Sequence, residues 1–365
     1  MAANPNNRGS KKWLVNVILG FICLLWILPT FGLLISSFRM PNDINTSGWW
    51  TIFPHEAWVT ESTITLPKDV NLDQPFEVKG EQVTDKQLQN GVKIAENTRI
   101  VWENRLRKTV AVQDEEWTSN LGFTIKNYLH VLTGGTYQVA GPDGSMTTMQ
   151  GDNLGRAFLN SIAVAIPGTL IPLTVSTFAA YAFAWMRFPG RNILLMAIIG
   201  LLVIPVQVAL VPDLKDFIAL GINGTFLAVW LAHTAFGLSL ATYFMHNYIS
   251  QIPKDIFESA FIDGAGHFKI FTRLILPLSV PAIASIGIFQ FMWVWNDYLI
   301  ALIYLGGVPN HQVLTMQLAG MVGTRGSEWH LLTSGAFISM ILPLAVFFFL
   351  QRYFVRGLLG GSVKG

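Results

Sequence analysis

The chain has 365 residues, 52% of them hydrophobic and 13% charged, with 12 tryptophans and a formal net charge of +2; its mean hydropathy is +0.45. Soluble domains carry about 25% charged residues, so the balance points to a polytopic membrane protein, and the small net charge excludes a basic nucleic-acid binder. A single cysteine, Cys23, excludes a disulfide framework or a thiolate metal site, and the seven histidines show no H-E-x-x-H or other short ligand spacing.

The first apolar span covers 13–37, behind Arg8, Lys11 and Lys12. Its core exceeds the h-region of a signal peptide and no A-x-A-like site follows it, so it reads as an uncleaved membrane helix with a cytoplasmic N-terminus. Residues 39–150 are of different composition. Charged residues crowd there, and short β-leaning runs at 62–66, 76–79, 99–102 and 109–112 alternate with polar turns, ending at the Gly141-Pro142-Asp143-Gly144 turn. The pattern predicts a small strand-rich extracytoplasmic domain.

Five further spans follow at about 157–186, 193–211, 225–248, 279–305 and 331–354, each near the ~20 apolar residues that a bilayer requires. The side that holds the N-terminus also receives Arg187, Arg191, Lys254, Lys269, Arg273, Arg352, Arg356 and Lys364. The opposite short connections hold Lys215 and Arg325. By the positive-inside rule both termini are cytoplasmic. The predicted fold is an α-helical polytopic membrane protein with six transmembrane helices. It divides into 1–38 (N-terminus and first helix), 39–150 (loop domain), 151–355 (five-helix core) and 356–365 (cytoplasmic tail).

Between the fourth and fifth spans lies a polar interruption, 251–281. After Pro253, which suits a helix start, Asp255, Glu258, Ser259 and Asp263 fall on one side of a helical wheel. Ile256, Phe257, Ala260 and Phe261 fall on the other. Gly264 and Gly266 can supply a left-handed residue to end the helix, and a second amphipathic piece, 267–276, is expected to stop at Pro277. The pattern suits a docking knob, and equally a helix pair lying on lipid.

The spacing Glu258-Ser259-Ala260, Gly264, then Leu274-Ile275-Leu276-Pro277 resembles the "EAA" coupling loop of permease subunits in ATP-binding-cassette importers. Ser259 and Leu274 are small departures from that pattern. Asn160-Ser161, the run from Ala179 to Ala184, Arg187-Phe188-Pro189-Gly190-Arg191 and Trp295-Asn296-Asp297 resemble the maltose-type carbohydrate permeases, as does the C-terminal sequence from Gly357. Trp293-Val294-Trp295-Asn296-Asp297 and the enlarged first loop are most similar to the α-glucoside branch. The resemblance implies the type I ABC importer permease fold in a bacterial inner (plasma) membrane. It implies that Glu258, Ser259, Ala260, Asp263, Gly264, Ala265 and Pro277 couple to a cytoplasmic ATPase, and that a tail with Gly360, Gly361 and Lys364 touches that ATPase. The implied partners are a homologous second permease subunit, two ATP-binding subunits, an extracytoplasmic sugar-binding protein and membrane lipid.

Polar residues inside spans are costly in lipid and face a partner helix or water. Gln290, Trp293 and Asp297 are spaced i, i+3, i+7, with Asn296 adjacent, and Trp230 and His233 lie on the fourth span. An aromatic face with amides and carboxylates suits a sugar pathway, although interhelical hydrogen bonding or an interfacial tryptophan belt uses the same residues. No G-x-x-x-x-G-K-[ST] loop, nucleophile–base pair or metal cluster is present, so no cofactor and no catalysis are expected of this chain. The expected function is that of the permease subunit of an ATP-driven sugar importer. The alternatives are a permease for another polar solute (a peptide or polyamine) or an ion-coupled secondary carrier using Asp297.

Overall fold

A computed structural model describes residues 6–67, 69–140, 146–150, 153–324 and 328–360. The chain forms two compact units, residues 1–124 and 125–365.

The first unit begins with α1 (Asn6–Phe38), whose large side chains are exposed around its circumference, Trp13 by 67% and Trp26 by 79%. A largely apolar helix of 27 residues from Lys12 to Phe38, exposed over most of its length, is what a bilayer-embedded span requires. At its end Arg39 is buried and gathers the next two turns. Its Nη1 donates to the Ser47 carbonyl at 2.8 Å and its Nη2 to the Asp43 carbonyl at 2.9 Å and the Thr51 hydroxyl at 3.3 Å. These contacts hold α2 (Pro41–Thr46) and a 3₁₀ turn (Trp49–Ile52) together, and Arg39 also forms a β-bridge with Phe123. Burial lowers the Arg39 pKa and Asp43 opposes that shift.

Beyond this clasp lies an antiparallel sheet of β1 (His55–Thr65), β6 (Thr109–Thr118), β5 (Thr98–Asn104) and β4 (Val92–Ala95), in that spatial order. Registers Ile64↔Val110, Val110↔Trp102 and Ile100↔Val92 put apolar residues on one face. That face packs on the hairpin of β2 (Phe76–Val78) and β3 (Glu81–Val83) and on Leu88 of α3 (Asp85–Asn90). Helix α3 starts with a capping box between Thr84 and Gln87. On the opposite face Arg99 donates to Gln113 at 2.8 Å and lies over the Trp58 ring at 4.5 Å. The Gly141–Gly144 turn lies outside the described residues.

Among the described residues the second unit is helical apart from a hairpin of β7 (Thr136–Ala140) and β8 (Met146–Gln150). It comprises α4 (Lys126–Thr133), α5 (Leu154–Trp185), α6 (Arg191–Gly200), α7 (Val206–Ala219), α8 (Phe226–Ile249) and α9 (Lys254–Ile262). It continues with α10 (His267–Ile270), α11 (Leu276–Leu278), α12 (Val280–Trp295), α13 (Leu299–Leu305), α14 (Leu314–Thr324) and α15 (Trp329–Gly360). Among the described residues, α1, α5, α8 and α15 are long and apolar enough to cross a membrane as single helices. Two further candidates are bent pairs: 191–203 with 206–219, at 103°, and 267–278 with 280–295, at 71°.

Two expected continuous spans are broken, the first at the bend of its pair and the second after α12. The span read at 193–211 bends at Ile204-Pro205, where both residues are extended, because proline disfavours the helical conformation of the residue before it. The span read at 279–305 stops at Trp295 and resumes at Leu299. Pro277 does not stop the second amphipathic piece either. It lies within the continuous helix 267–278, behind a five-residue π turn, Phe271–Ile275, and the chain bends after it, between Leu278 and Val280.

Helices α5, α8 and α12 share one core, with Ala165, Ala228 and Ala232 at no more than 1% exposure. Small residues let helix backbones approach closely where lipid provides no hydrophobic drive.

Candidate functional site

Helix α9 follows Pro253 as its N-cap, and its chain reverses at Gly264 with φ +73°. The Gly264 N–H donates to the Phe261 carbonyl and the Ala265 N–H to the Ala260 carbonyl, each at 3.0 Å. Of the two glycines, Gly264 takes the left-handed conformation, while Gly266 is extended at φ −74°.

The loop is seated on the ends of α5 and α8. Phe257, 1% exposed, stacks on Trp185 with ring centroids 3.6 Å apart. The Trp185 indole donates to the Ile249 carbonyl at 3.4 Å, and the Tyr181 hydroxyl lies 2.9 Å from His267 Nδ1. Phe257, Tyr181, Trp185 and Ile249 form a separate apolar core with Ile270, Phe271 and Ile275. Asp255, Glu258, Ser259, Asp263 and Gly264 remain exposed, Ala260 and Ala265 are half-buried, and Pro277 is exposed. The Ser259 hydroxyl donates to the Asp255 carbonyl at 2.8 Å. Ile262 and Phe268 project outward, 85% and 74% exposed. The knob is thus rigidly attached on one side and presents carboxylates and apolar side chains on the other. The sequence pattern did not single out Tyr181, Trp185 and His267; an aromatic pair at i, i+4 closing the second span was the available signal.

The intramembrane polar residues converge on His233. The Gln290 amide donates to the Gly168 carbonyl at 3.2 Å and the His233 carbonyl at 3.4 Å, and Trp293 meets the His233 ring edge-on at 5.6 Å. Asp297 Oδ2 lies 3.8 Å from His233 Nε2. Asp297 sits past the end of α12, so it does not share a helical face with Gln290 and Trp293. Its carboxylate instead accepts the Ile300 N–H at 3.4 Å and the Ala301 N–H at 3.0 Å, opening α13. Asn296 is exposed and donates to the Met292 carbonyl at 2.8 Å. Trp230 is half-buried and donates to the Ala163 carbonyl at 2.9 Å. These bonds are interhelical or local. The cavity between His233, Asp297 and Ser161 measures about 10 Å³, close to the space of a single water.

Asn160 donates to the Asn310 and Gln312 carbonyls, each at 2.9 Å, and the Ser161 hydroxyl accepts the Leu314 N–H at 2.8 Å. Gly360 closes α15; Gly361 and Lys364 lie outside the described residues. Among the described residues no group of His, Cys, Asp and Glu is arranged to hold a metal ion.

Bent spans, a helical core and an outward knob fixed to the ends of two spans define a membrane transport component. The family model for the binding-protein-dependent transport system inner membrane component matches residues 173–360, and the chain belongs to that family. It is 43% identical over 364 residues to the osmoprotective compounds uptake permease protein GgtD of Synechocystis, covering 99% of this chain and 96% of that one. It is 39% identical over 397 residues to the alpha-glucoside transport system permease protein AglG of Rhizobium meliloti, covering 99% and 100%. The trehalose/maltose transport system permease protein MalG of Thermococcus litoralis is 33% identical over 247 residues, covering 66% and 82%. In fold it is similar to a chain of a bacterial ABC transporter involved in the import of the acidic polysaccharide alginate, at a TM-score of 0.58 and 16% identity, covering 97% of this chain and 99% of that one. The chain therefore has the type I ABC importer permease fold and is a membrane permease of that system.

Proposed function

We propose that the chain forms half of the translocation pathway of an ATP-driven importer for α-glucosides or other di- and oligosaccharides. ATP hydrolysis takes place on separate subunits and this chain performs no chemistry. The observation that carries this reading is the seating of the 251–281 knob. Phe257 on Trp185 and Tyr181 against His267 tie it to α5, and Met245 and Ile249 of α8 share its apolar core, so a push on Glu258, Ile262 or Asp263 moves those helices as levers. Two ATP-binding subunits press on the knob, a homologous permease completes the pathway, and a sugar-binding protein delivers the substrate. Both termini and the knob are cytoplasmic, residues 39–150 are extracytoplasmic, and the bent pair 191–203 with 206–219 and the α12–α13 stretch from Val280 to Leu305 each count as one span to give six. The Gly360–Lys364 tail reaches the ATPase, and alternating access rocks α8 and α12 about His233, Gln290, Trp293, Asn296, Asp297 and Trp230.

The carbohydrate assignment is supported by the alpha-glucoside and trehalose/maltose relatives. The relative named for osmoprotective compounds supports a second reading, in which the cargo includes small compatible solutes. Uptake of labelled α-glucosides, compatible solutes, peptides and polyamines into vesicles carrying the assembled complex separates these. ATP-dependent α-glucoside uptake is expected. Uptake driven by an ion gradient without ATP, or no competition by any disaccharide, would overturn the sugar-importer reading.

A further inference from the structure

The turn after the second span carries a groove that plays no part in the knob or the polar centre. Helix α5 ends at Trp185 and α6 starts at Arg191. Between them Arg187, Phe188, Gly190, Arg191, Asn192 and Ile193 line an open groove of about 480 Å³. No Asp or Glu occurs from 186 to 200, and neither arginine forms an ion pair among the described residues. Arg191 is fixed by neutral acceptors: its Nη1 donates to the Met186 carbonyl at 3.2 Å and its Nε to Asn192 Oδ1 at 3.4 Å. That arrangement orients a charge without neutralising it. Arg187 is exposed and makes no hydrogen bond to the protein among the described residues. Next to the two guanidiniums, Ile193, Leu194 and Met196 are 71%, 52% and 63% exposed.

Two uncompensated guanidiniums at the end of a membrane span, beside exposed apolar side chains, match an amphiphile with an anionic head. Arginine binds phosphate oxygens through paired N–H donors. We propose that this groove binds the phosphate headgroup of an anionic phospholipid, with Arg187 and Arg191 as its charged contacts and the exposed side chains of α6 against its acyl chains. A zwitterionic lipid carries its own cation and leaves the groove's charge unmatched, so the site selects net-anionic lipids.

Native mass spectrometry of the purified full-length chain, titrated with phosphatidylglycerol or phosphatidylcholine, tests this. Phosphatidylglycerol is expected to be retained in preference, with Arg187→Gln or Arg191→Gln weakening it about fivefold each and the pair about 25-fold. Phosphatidylcholine retention is expected to be unchanged. Arg187→Gln removes no internal hydrogen bond, so a folding defect does not mask its effect, and Arg187→Lys is expected to keep most of the preference. The proposal is overturned if Arg187→Gln and the double variant retain phosphatidylglycerol like the parent, if both lipids are retained equally, or if inorganic phosphate alone displaces the lipid.

Discussion

The imidazole Nε2 of His233 and the carboxylate Oδ2 of Asp297 lie 3.8 Å apart, between α8 and the break that follows α12. Neither ring nitrogen of His233 has a hydrogen-bond partner among the described residues, whereas Asp297 spends both oxygens on the first N–H groups of α13. The carboxylate therefore does two jobs, holding the restart of a broken helix and facing the one buried imidazole of α8.

From the capping role, Asp297→Ala is expected to destabilise the protein by roughly 1–2 kcal/mol. Asp297→Asn is expected to cost less, since its amide oxygen still accepts a hydrogen bond. Thermal unfolding of the three proteins in detergent should rank the parent above Asn and Asn above Ala; equal midpoints for Ala and the parent would refute the cap.

Gly237 gives Gln290 its path between helices. A Cβ at 237 would lie 2.5 Å from Gln290 Nε2 and 2.7 Å from its Oε1. Gly237→Ala is expected to cost roughly 1–3 kcal/mol by overpacking. Adding Gln290→Ala should recover part of that loss, because the clash and its partner go together. A double-mutant cycle from unfolding midpoints measures the coupling.

In the knob, Gly264 and Gly266 both have open space where a Cβ would sit, but Gly264 alone of the two has a positive φ. Gly264→Ala is expected to cost roughly 1–2 kcal/mol from left-handed strain, and Gly266→Ala to fall within about 0.5 kcal/mol of the parent. Limited proteolysis across 251–281 should show the first variant cleaved faster and the second unchanged.

Phe257 and Ile262 lie on the same short helix with opposite environments. Phe257→Ala removes a buried ring stacked on Trp185 and should destabilise the protein by roughly 3–5 kcal/mol. Ile262→Ala, at an 85% exposed position, should leave the unfolding midpoint within about 0.5 kcal/mol of the parent and weaken recovery of the ATPase partner in a pull-down. A loss of stability in Ile262→Ala without loss of partner would contradict the division between seat and contact face.

The knob was legible in the sequence because charge and apolarity alternate at helical spacing around Glu258 and Asp263. Its attachment was not, since Tyr181 and His267 lie 86 residues apart and no local pattern joins them. The helix breaks hid for a different reason. Apolar side chains continue on both sides of Pro205 and of Asn296–Tyr298, and hydropathy does not register a carboxylate that closes its own helix start. Pro277 looked like a stop because proline cannot donate to a helix, and the π turn before it is a feature without a composition signature. The residues grouped by spacing as Gln290, Trp293 and Asp297 do meet, but through His233 rather than along one helix face.

The most direct test of the account is cross-linking at the knob. In a Cys23→Ser background, Ile262→Cys is combined with co-expressed ATPase subunits carrying surface cysteines, and disulfide yield is followed with and without ATP. A knob that receives force from the ATPase predicts a strong cross-link whose yield changes with nucleotide and, in a separate variant, loss of sugar uptake when 258–264 are deleted. Uptake that survives the deletion, or a residue 262 that never cross-links to the ATPase in an active complex, would contradict it.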